Sequence, residues 1–412
     1  MENLDNTKPQ ILFVGPYPPV YGGYSTQIYN LTAFLLKEDF KITVLSFESE
    51  DKTEFPREGL RVIRINKKKN WRFLFSSLGN IPVFLSLLVQ RVCIRDIAST
   101  IIRFHIVCKI VKEHNIKLAV TYNLYDSLYG FYLKKKFDPK LALFTMVFGE
   151  ILQGMGTGSR YRDFLKSVLS ASDRVISSSK YCAGLYEKTG FDPRQIEVIY
   201  VGVDIDEYAR EGAEKQHPDA VVIPSEYRVV LFFGRFLKDM GLDVVLESIP
   251  SVLEKNKDVC FLLAGARGEL DEQAKALQLK YPDRVFIHHD VPHDILPLYY
   301  RRCSILLAPT KALRACMGIS IKDSMAWGKP AIVSDSGGIK EAVSDKETGL
   351  VIPLNGRDRI EPAEIEQAIC TLMDNPQLME EMGKNARQRA IELFDKALEA
   401  KRWLQLINQA LA

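Results

Sequence analysis

The sequence predicts an α/β protein of two doubly wound domains with parallel sheets. Three observations predict it. Short apolar runs alternate with amphipathic stretches through most of the 412 residues, the strand–helix–strand rhythm of a parallel sheet. The rhythm starts twice, at Ile11 and at Arg228, each time with a strand closed by a glycine. A polar stretch from Asp206 to Ser225 lies between the two sets and reads as a linker. A chain of this length can bury a sizeable core in each of two domains.

The first set begins with the buried strand Ile11-Leu12-Phe13-Val14, ended by the loop Gly15-Pro16-Tyr17-Pro18-Pro19. After Gly22-Gly23, apolar residues at Ile28, Leu31, Leu35 and Leu36 give a helix, and Ile42–Leu45 the next strand. Further strands are expected at 118–120, 141–148 and 174–177, with helices at 83–113 and 160–170. The second set runs strand 228–233, helix 242–255, strand 259–264, helix 270–279, strand 285–287, helix 294–301, strand 304–308, helix 319–326, strand 331–333. Helices at 361–373, 376–392 and 395–410 close the chain. Ligands of doubly wound folds sit at the carboxyl ends of strands. Two such domains facing each other would place the loops Gly15–Gly23 and Gly234 along a shared cleft.

Composition narrows the class. At 47% hydrophobic and 26% charged, the chain is neither disordered, collagenous nor a coiled coil. A net charge of +3 implies no polyelectrolyte partner, so nucleic acid is not expected. The charge is uneven: residues 1–200 sum to +9 and residues 201–412 to −6, giving the +3. A basic front half suits an anionic surface or ligand. Seven scattered cysteines without C-x-x-C read as reduced intracellular thiols. The polar start, with Glu2 and Asp5, lacks a signal-peptide pattern, so a cytoplasmic location is expected. Phe73–Gln90 carries no charge over 18 residues but is broken by Gly79, Asn80 and Pro82. It is a poor spanning helix. Lys67-Lys68-Lys69-Asn70-Trp71-Arg72 just before it fits either a solvated loop or a contact with an anionic membrane surface, the inner face of the plasma membrane.

Several constellations carry chemistry. Gly22 and Gly23 stand between strand and helix, where backbone N–H groups approach an anion; G-x-G-x-x-G is not matched. Arg235 and Lys238 follow the strand ended by Gly234 and together would neutralise a diphosphate, unless they form a surface ion pair. Met317-Gly318-Ile319 opens a helix whose free N–H groups suit phosphate or sugar oxygens. Asp323, four residues after Ile319, shares its face and can grip adjacent hydroxyls such as a ribose diol. Metal is not expected. Asp204-Ile205-Asp206 reads as a helix cap, and His288, His289, Asp290 and His293 as a loop, structural or ligand-contacting.

Taken together, these motifs resemble glycosyltransferase family 4, the retaining nucleotide-sugar transferases of the GT-B fold. The likeness runs through Tyr17-Pro18-Pro19 with Gly22-Gly23, Gly202-Val203-Asp204, Gly234-Arg235 and Met240-Gly241-Leu242-Asp243. It is most specific from Met317-Gly318-Ile319 through Asp323-Ser324-Met325-Ala326-Trp327-Gly328-Lys329-Pro330, and it extends to Gly337–Glu341 and Thr348–Val351. The resemblance implies an acceptor-binding domain over 1–203 and a nucleotide-sugar-binding domain over 204–394. It implies a last helix, 395–412, packing back on the first domain.

It also assigns roles. Arg235 and the helix start at Gly318 would stabilise the leaving diphosphate without a metal or other cofactor. Val291 would face the nucleotide base. Three departures stand out. The family's two glutamates, E-x7-E, fall on Ala315 and Asp323; its lysine five residues after the arginine falls on Met240; its front-domain histidine falls on Phe148. Glu150 is then the nearest carboxylate for a catalytic contact, and Lys238 for the second cation. The expected reaction moves a sugar from a nucleotide diphosphate-sugar to a saccharide or lipid-linked saccharide, in polysaccharide or glycoconjugate synthesis. An inactive GT-B protein that stabilises a partner transferase, or a sugar-nucleotide epimerase, remains open.

Overall fold

The computed structural model describes residues 9–18, 23–47, 52–65, 94–154, 159–206, 217–292, 294–356 and 359–412. The chain forms two compact units, Met1–Tyr200 with Glu399–Ala412, and Val201–Leu398.

In the first unit the strands are β1 (Gln10–Val14), β2 (Lys41–Ser46), β3 (Lys52–Arg57), β4 (Leu60–Arg64), β5 (Ile116–Tyr122), β6 (Ala142–Val147), β7 (Arg174–Ser177) and β8 (Ile196–Val198). They form one sheet in the order β3-β4-β2-β1-β5-β6-β7-β8. All neighbours are parallel except β3 on β4. The helices are α1 (Gly23–Lys37), α2 (Ile94–Glu113), α3 (Leu124–Tyr132, continuing as a π-helical turn over Leu133–Phe137), α4 (Ile151–Gly154), α5 (Ser159–Ser170) and α6 (Lys180–Leu185).

The expected strands are present within a residue or two. The expected helix at 83–113 is seen from Ile94; residues 83–93, the apolar stretch and the basic cluster before it lie outside the described residues. The hairpin β3–β4 was not expected. β3 reads Lys-Thr-Glu-Phe-Pro-Arg, too charged for a buried strand, and Pro56 is tolerated because β3 is the sheet edge. α3 was missed for a different reason: described residues on several of its sides are buried, so no polar face marks it.

The second unit holds β9 (Arg228–Phe233), β10 (Val259–Gly265), β11 (Val285–His289), β12 (Cys303–Ala308), β13 (Ala331–Ser334) and β14 (Gly349–Ile352). Their order is β11-β10-β9-β12-β13-β14, wholly parallel. Around them lie α7 (Leu242–Lys255), α8 (Asp271–Lys280), α9 (Leu296–Arg302), α10 (Ile319–Ala326), α11 (Ile339–Ala342), α12 (Pro362–Met373) and α13 (Pro376–Phe394); α14 (Lys396–Leu411) belongs to the first unit from Glu399 onward. Every residue of β10 is buried, as a central strand covered on both faces requires. Both sheets are GT-B-like Rossmann sheets. In each, the strand order reverses at the first strand: β2 and β5 flank β1, and β10 and β12 flank β9. Such reversal points open a crevice at the carboxyl ends of the strands.

Two segments of the second unit are laced together where the chain passes between units. Val203 N donates to Phe394 O at 2.7 Å and Lys396 N to Val203 O at 3.0 Å. The Lys396 ammonium pairs with the Asp204 carboxylate, so the ion pair with Lys396 is what the D-x-D-like segment supplies here. The buried Lys322 of α10 donates to Val201 O and lies 5.6 Å from the Phe394 ring centroid. In the first unit, Trp403 of α14 is fully buried, its ring 6.3 Å from that of Phe144, and Gln27 Nε2 donates to Glu399 Oε1 at 2.7 Å.

Candidate active site

The loop after β9 is built around one anchor. Phe236 is fully buried; its N–H donates to Ala266 O at 2.9 Å and its carbonyl accepts from Leu270 N at 3.0 Å. The residues on either side turn outward. Arg235 and Lys238 are exposed, and neither side chain has a hydrogen bond or ion pair among the described residues. The surface ion pair that would explain a bland arginine here is not seen. Lys238 opens a 3-10 turn, Lys238–Met240, its N–H held by Glu269 Oε1 at 3.0 Å. Met240 packs against the apolar core, so the position of a second cation is filled by a hydrophobe.

Gly265 makes this loop possible. Its φ is +137°, and a Cβ there would stand 1.9 Å from Gly234 O. Only glycine lets the β10 loop lie against the β9 loop this closely. The other side is stitched to the loop after β12. Asp239 O accepts from Lys311 N at 2.8 Å and Thr310 Oγ1 at 2.9 Å. Arg314 reaches Asp239 Oδ2 at 2.6 Å and Lys311 reaches Asp243 Oδ2 at 2.7 Å. The two loops that flank the strand reversal are therefore one connected scaffold.

The second loop ends in the start of α10. Gly318 is exposed with φ +70°, Met317 is buried, and Ile319 is half-buried as the first helical residue. The first turn of α10 carries no acidic residue. A helix start leaves N–H groups without intrahelical acceptors and carries partial positive charge. Ala315 O accepts from Gly338 N at 2.9 Å, which ties this loop to the turn before α11. Asp323 lies one turn into α10, half-buried. Burial, and then the nearby Asp323 carboxylate, push the Tyr300 hydroxyl well above its ordinary pKa of 10.0.

Val291 is buried in the loop after β11, where Asp290 N donates to Gly265 O at 2.8 Å. His289 packs on Phe236 with ring centroids 4.8 Å apart, and His288 Nδ1 bonds the Tyr299 hydroxyl. Burial lowers the pKa of both histidines below the usual 6.5. Among the described residues no three His, Cys, Asp or Glu side chains form a metal-ligating group; His293 lies outside them.

In the first unit, Gly23 begins α1 and is exposed, whereas Gly22 lies outside the described residues. Glu150 is half-buried in the turn before α4. Phe148, where the resemblance places a histidine, is buried between two tyrosines. Its ring stacks on Tyr24 at 4.0 Å and 27°, and Tyr122 stands 6.4 Å away. Thus the structure brings Arg235, Lys238 and Gly318 onto loops, and Ile319 and Asp323 onto the first turns of α10, around one reversal point, and Gly23 and Glu150 onto the carboxyl end of the other sheet. The Phe236 anchor, Gly265 and the Asp239 stitches escaped notice in the sequence. The pair Gly234 and Gly265, each closing a strand, was the available signal.

Known proteins divide the chain in the same way. Residues 21–207 match the family model Glycosyltransferase Family 4, and residues 213–389 match Glycosyl transferases group 1. The chain belongs to glycosyltransferase family 4. Among curated relatives, the D-inositol 3-phosphate glycosyltransferase 1 of Catenulispora acidiphila is 26% identical over 235 residues, 54% of each chain. A glycosyltransferase of Methanocaldococcus jannaschii with no assigned substrate is 23% identical over 92% of each. The matches span about half the length of the first of these relatives. The fold is that of the sucrose-phosphate synthase of Thermosynechococcus elongatus, with TM-score 0.72, 18% identity, and 97% and 98% of the two chains covered. Anabaena HepE, solved with UDP and glucose, has TM-score 0.69 at 17% identity, covering 97% of this chain and 100% of that one. These structural likenesses show the GT-B fold.

Proposed function

We propose that the protein is a retaining glycosyltransferase using a nucleotide diphosphate-sugar. One observation carries it: Arg235 is exposed and unpaired among the described residues, on a rigid loop stitched to the start of α10 at a strand reversal. A guanidinium and aligned N–H groups fixed on one scaffold suit an anion whose charge grows as a bond breaks. In the reaction the anomeric C–O bond to the diphosphate breaks and a C–O bond to the acceptor hydroxyl forms. The acceptor proton passes to the leaving phosphate, on the same face of the sugar. Asp323 holds the ribose diol and Val291 lies beside the base. Lys238 supplies a second cation, and no metal or other cofactor takes part. In the first unit, Glu150 is the catalytic carboxylate and Gly22 and Gly23 belong to the substrate-binding residues.

The acceptor is a saccharide or lipid-linked saccharide, in cell-surface polysaccharide or glycoconjugate synthesis. The enzyme works in the cytoplasm at the inner face of the plasma membrane, through Lys67–Arg72. The neighbour solved with UDP and glucose supports the donor class. The test is incubation with a panel of UDP-, GDP-, ADP- and dTDP-sugars and saccharide acceptors, reading nucleotide release and product anomer by NMR. Transfer with the donor's own configuration is expected. Inverted product overturns retention, and absence of release from every donor overturns the function.

A further inference from the structure

The carboxyl end of the first unit's sheet carries an aromatic stack that none of the roles above uses. Tyr122 ends β5 and is fully buried; Phe148 follows β6 at 1% exposure; Tyr24 lies in the first turn of α1 at 37% exposure. The rings step outward from core to surface, Tyr122 to Phe148 at 6.4 Å and Phe148 to Tyr24 at 4.0 Å with 27° between planes. Phe148 holds the Tyr24 ring in place, and the buried Tyr122 backs Phe148. Gly15, one residue past β1, keeps Tyr122 at this depth, since a Cβ there would lie 2.9 Å from Tyr122 Cβ.

A ring fixed in this way, partly open to solvent, beside a strand reversal, is built for contact with a flat apolar surface. The C–H face of a pyranose is such a surface. It packs on an aromatic ring with its hydroxyls pointing outward, and a tyrosine loses little conformational entropy in holding it. Glu150 stands two residues beyond Phe148, on the same end of the sheet. We propose that Tyr24, held by Phe148, is a stacking platform for a pyranose ring of the acceptor saccharide. Tyr24 is thus a specificity-determining residue. The proposal rests on the transferase reading and narrows it: the acceptor presents a sugar ring, not an isolated alcohol.

Two variants and three readouts test it. Wild type, Tyr24→Ala and Tyr24→Trp are compared by thermal shift with UDP and, beside it, GDP, ADP and dTDP, which reports the donor site alone. The same three are titrated with disaccharide and methyl-glycoside probes, by saturation-transfer NMR and, with the working donor, by acceptor KM and kcat. Tyr24→Ala is expected to raise acceptor KM about tenfold, the size of one aromatic stacking contact, with the UDP shift and donor KM unchanged. Tyr24→Trp is expected to restore acceptor binding. Unchanged acceptor KM in Tyr24→Ala overturns the platform. So does a rise confined to donor KM, which moves the ring to the donor sugar, or the absence of saccharide binding to wild type. Absence of a shift in wild type with UDP, GDP, ADP and dTDP alike instead defeats the transferase reading, and is seen independently of the Tyr24 variants.

Discussion

At the residue scale, Arg235 is the sharpest point. Its guanidinium is exposed and has no partner among the described residues, so its removal leaves no buried group unsatisfied. Arg235→Ala should therefore unfold at the wild-type temperature while kcat falls about 100- to 1,000-fold, the usual loss for one donor aimed at developing charge. Thermal unfolding and steady-state kinetics check both halves. His288 and His289 bear on stability. Burial depresses their folded pKa values below 6.5. The unfolded chain thus binds protons more readily, and stability is full above about pH 6.5 and lost as pH falls below it. The urea midpoint should be lower at pH 5.5 than at pH 7.5, and His289→Phe should flatten the difference. Equal midpoints in the wild type would contradict this.

At the element scale, the loops after β9, β10 and β12 act as one scaffold, with Gly265 as its tightest contact. Gly265→Ala forces a Cβ into the Gly234 carbonyl. It should cost at least ~2 kcal/mol and loosen nucleotide binding, read by chemical denaturation and calorimetry. How much was legible followed physical causes. The central strands β1, β9 and β10 are apolar runs closed by glycine, and the sequence shows them directly. The edge strand β3 and the short helices α4, α6 and α11 lack such a run or period. Arg235 was visible because a charge directly after a strand end is unusual. Tyr24 was not. It stands four residues before Ile28, on the same helical face, so periodicity assigns it to the core. Yet Ile28 is fully buried and Tyr24 is 37% exposed. Ala315, where the resemblance places the first E-x7-E glutamate, has no carboxylate to offer; its carbonyl accepts from Gly338 N.

At the scale of the whole molecule, two parallel-sheet units repeat one design, with a reversal at β1 and another at β9. The first unit carries the basic excess of the sequence, and Lys67–Arg72 follows its exposed edge hairpin within a few residues. Among the described residues no helix is long and apolar enough to cross a membrane. Attachment through the basic cluster predicts co-sedimentation with anionic vesicles that weakens when Lys67, Lys68 and Lys69 are replaced by glutamine. It also predicts weakening with salt, since the attraction is screened within about 10 Å at 0.1 M. Equal sedimentation of the two proteins would count against that attachment.

The central claim is that the second unit grips a nucleoside diphosphate through Arg235 and the start of α10. Titration calorimetry of the full chain with UDP, GDP, ADP and dTDP, beside the matching monophosphates, measures it directly. The account predicts that at least one diphosphate binds, that its monophosphate binds more weakly, and that Arg235→Ala lowers diphosphate affinity about tenfold or more. Binding that ignores the second phosphate and is unchanged in Arg235→Ala, or no binding by any nucleotide, would contradict it.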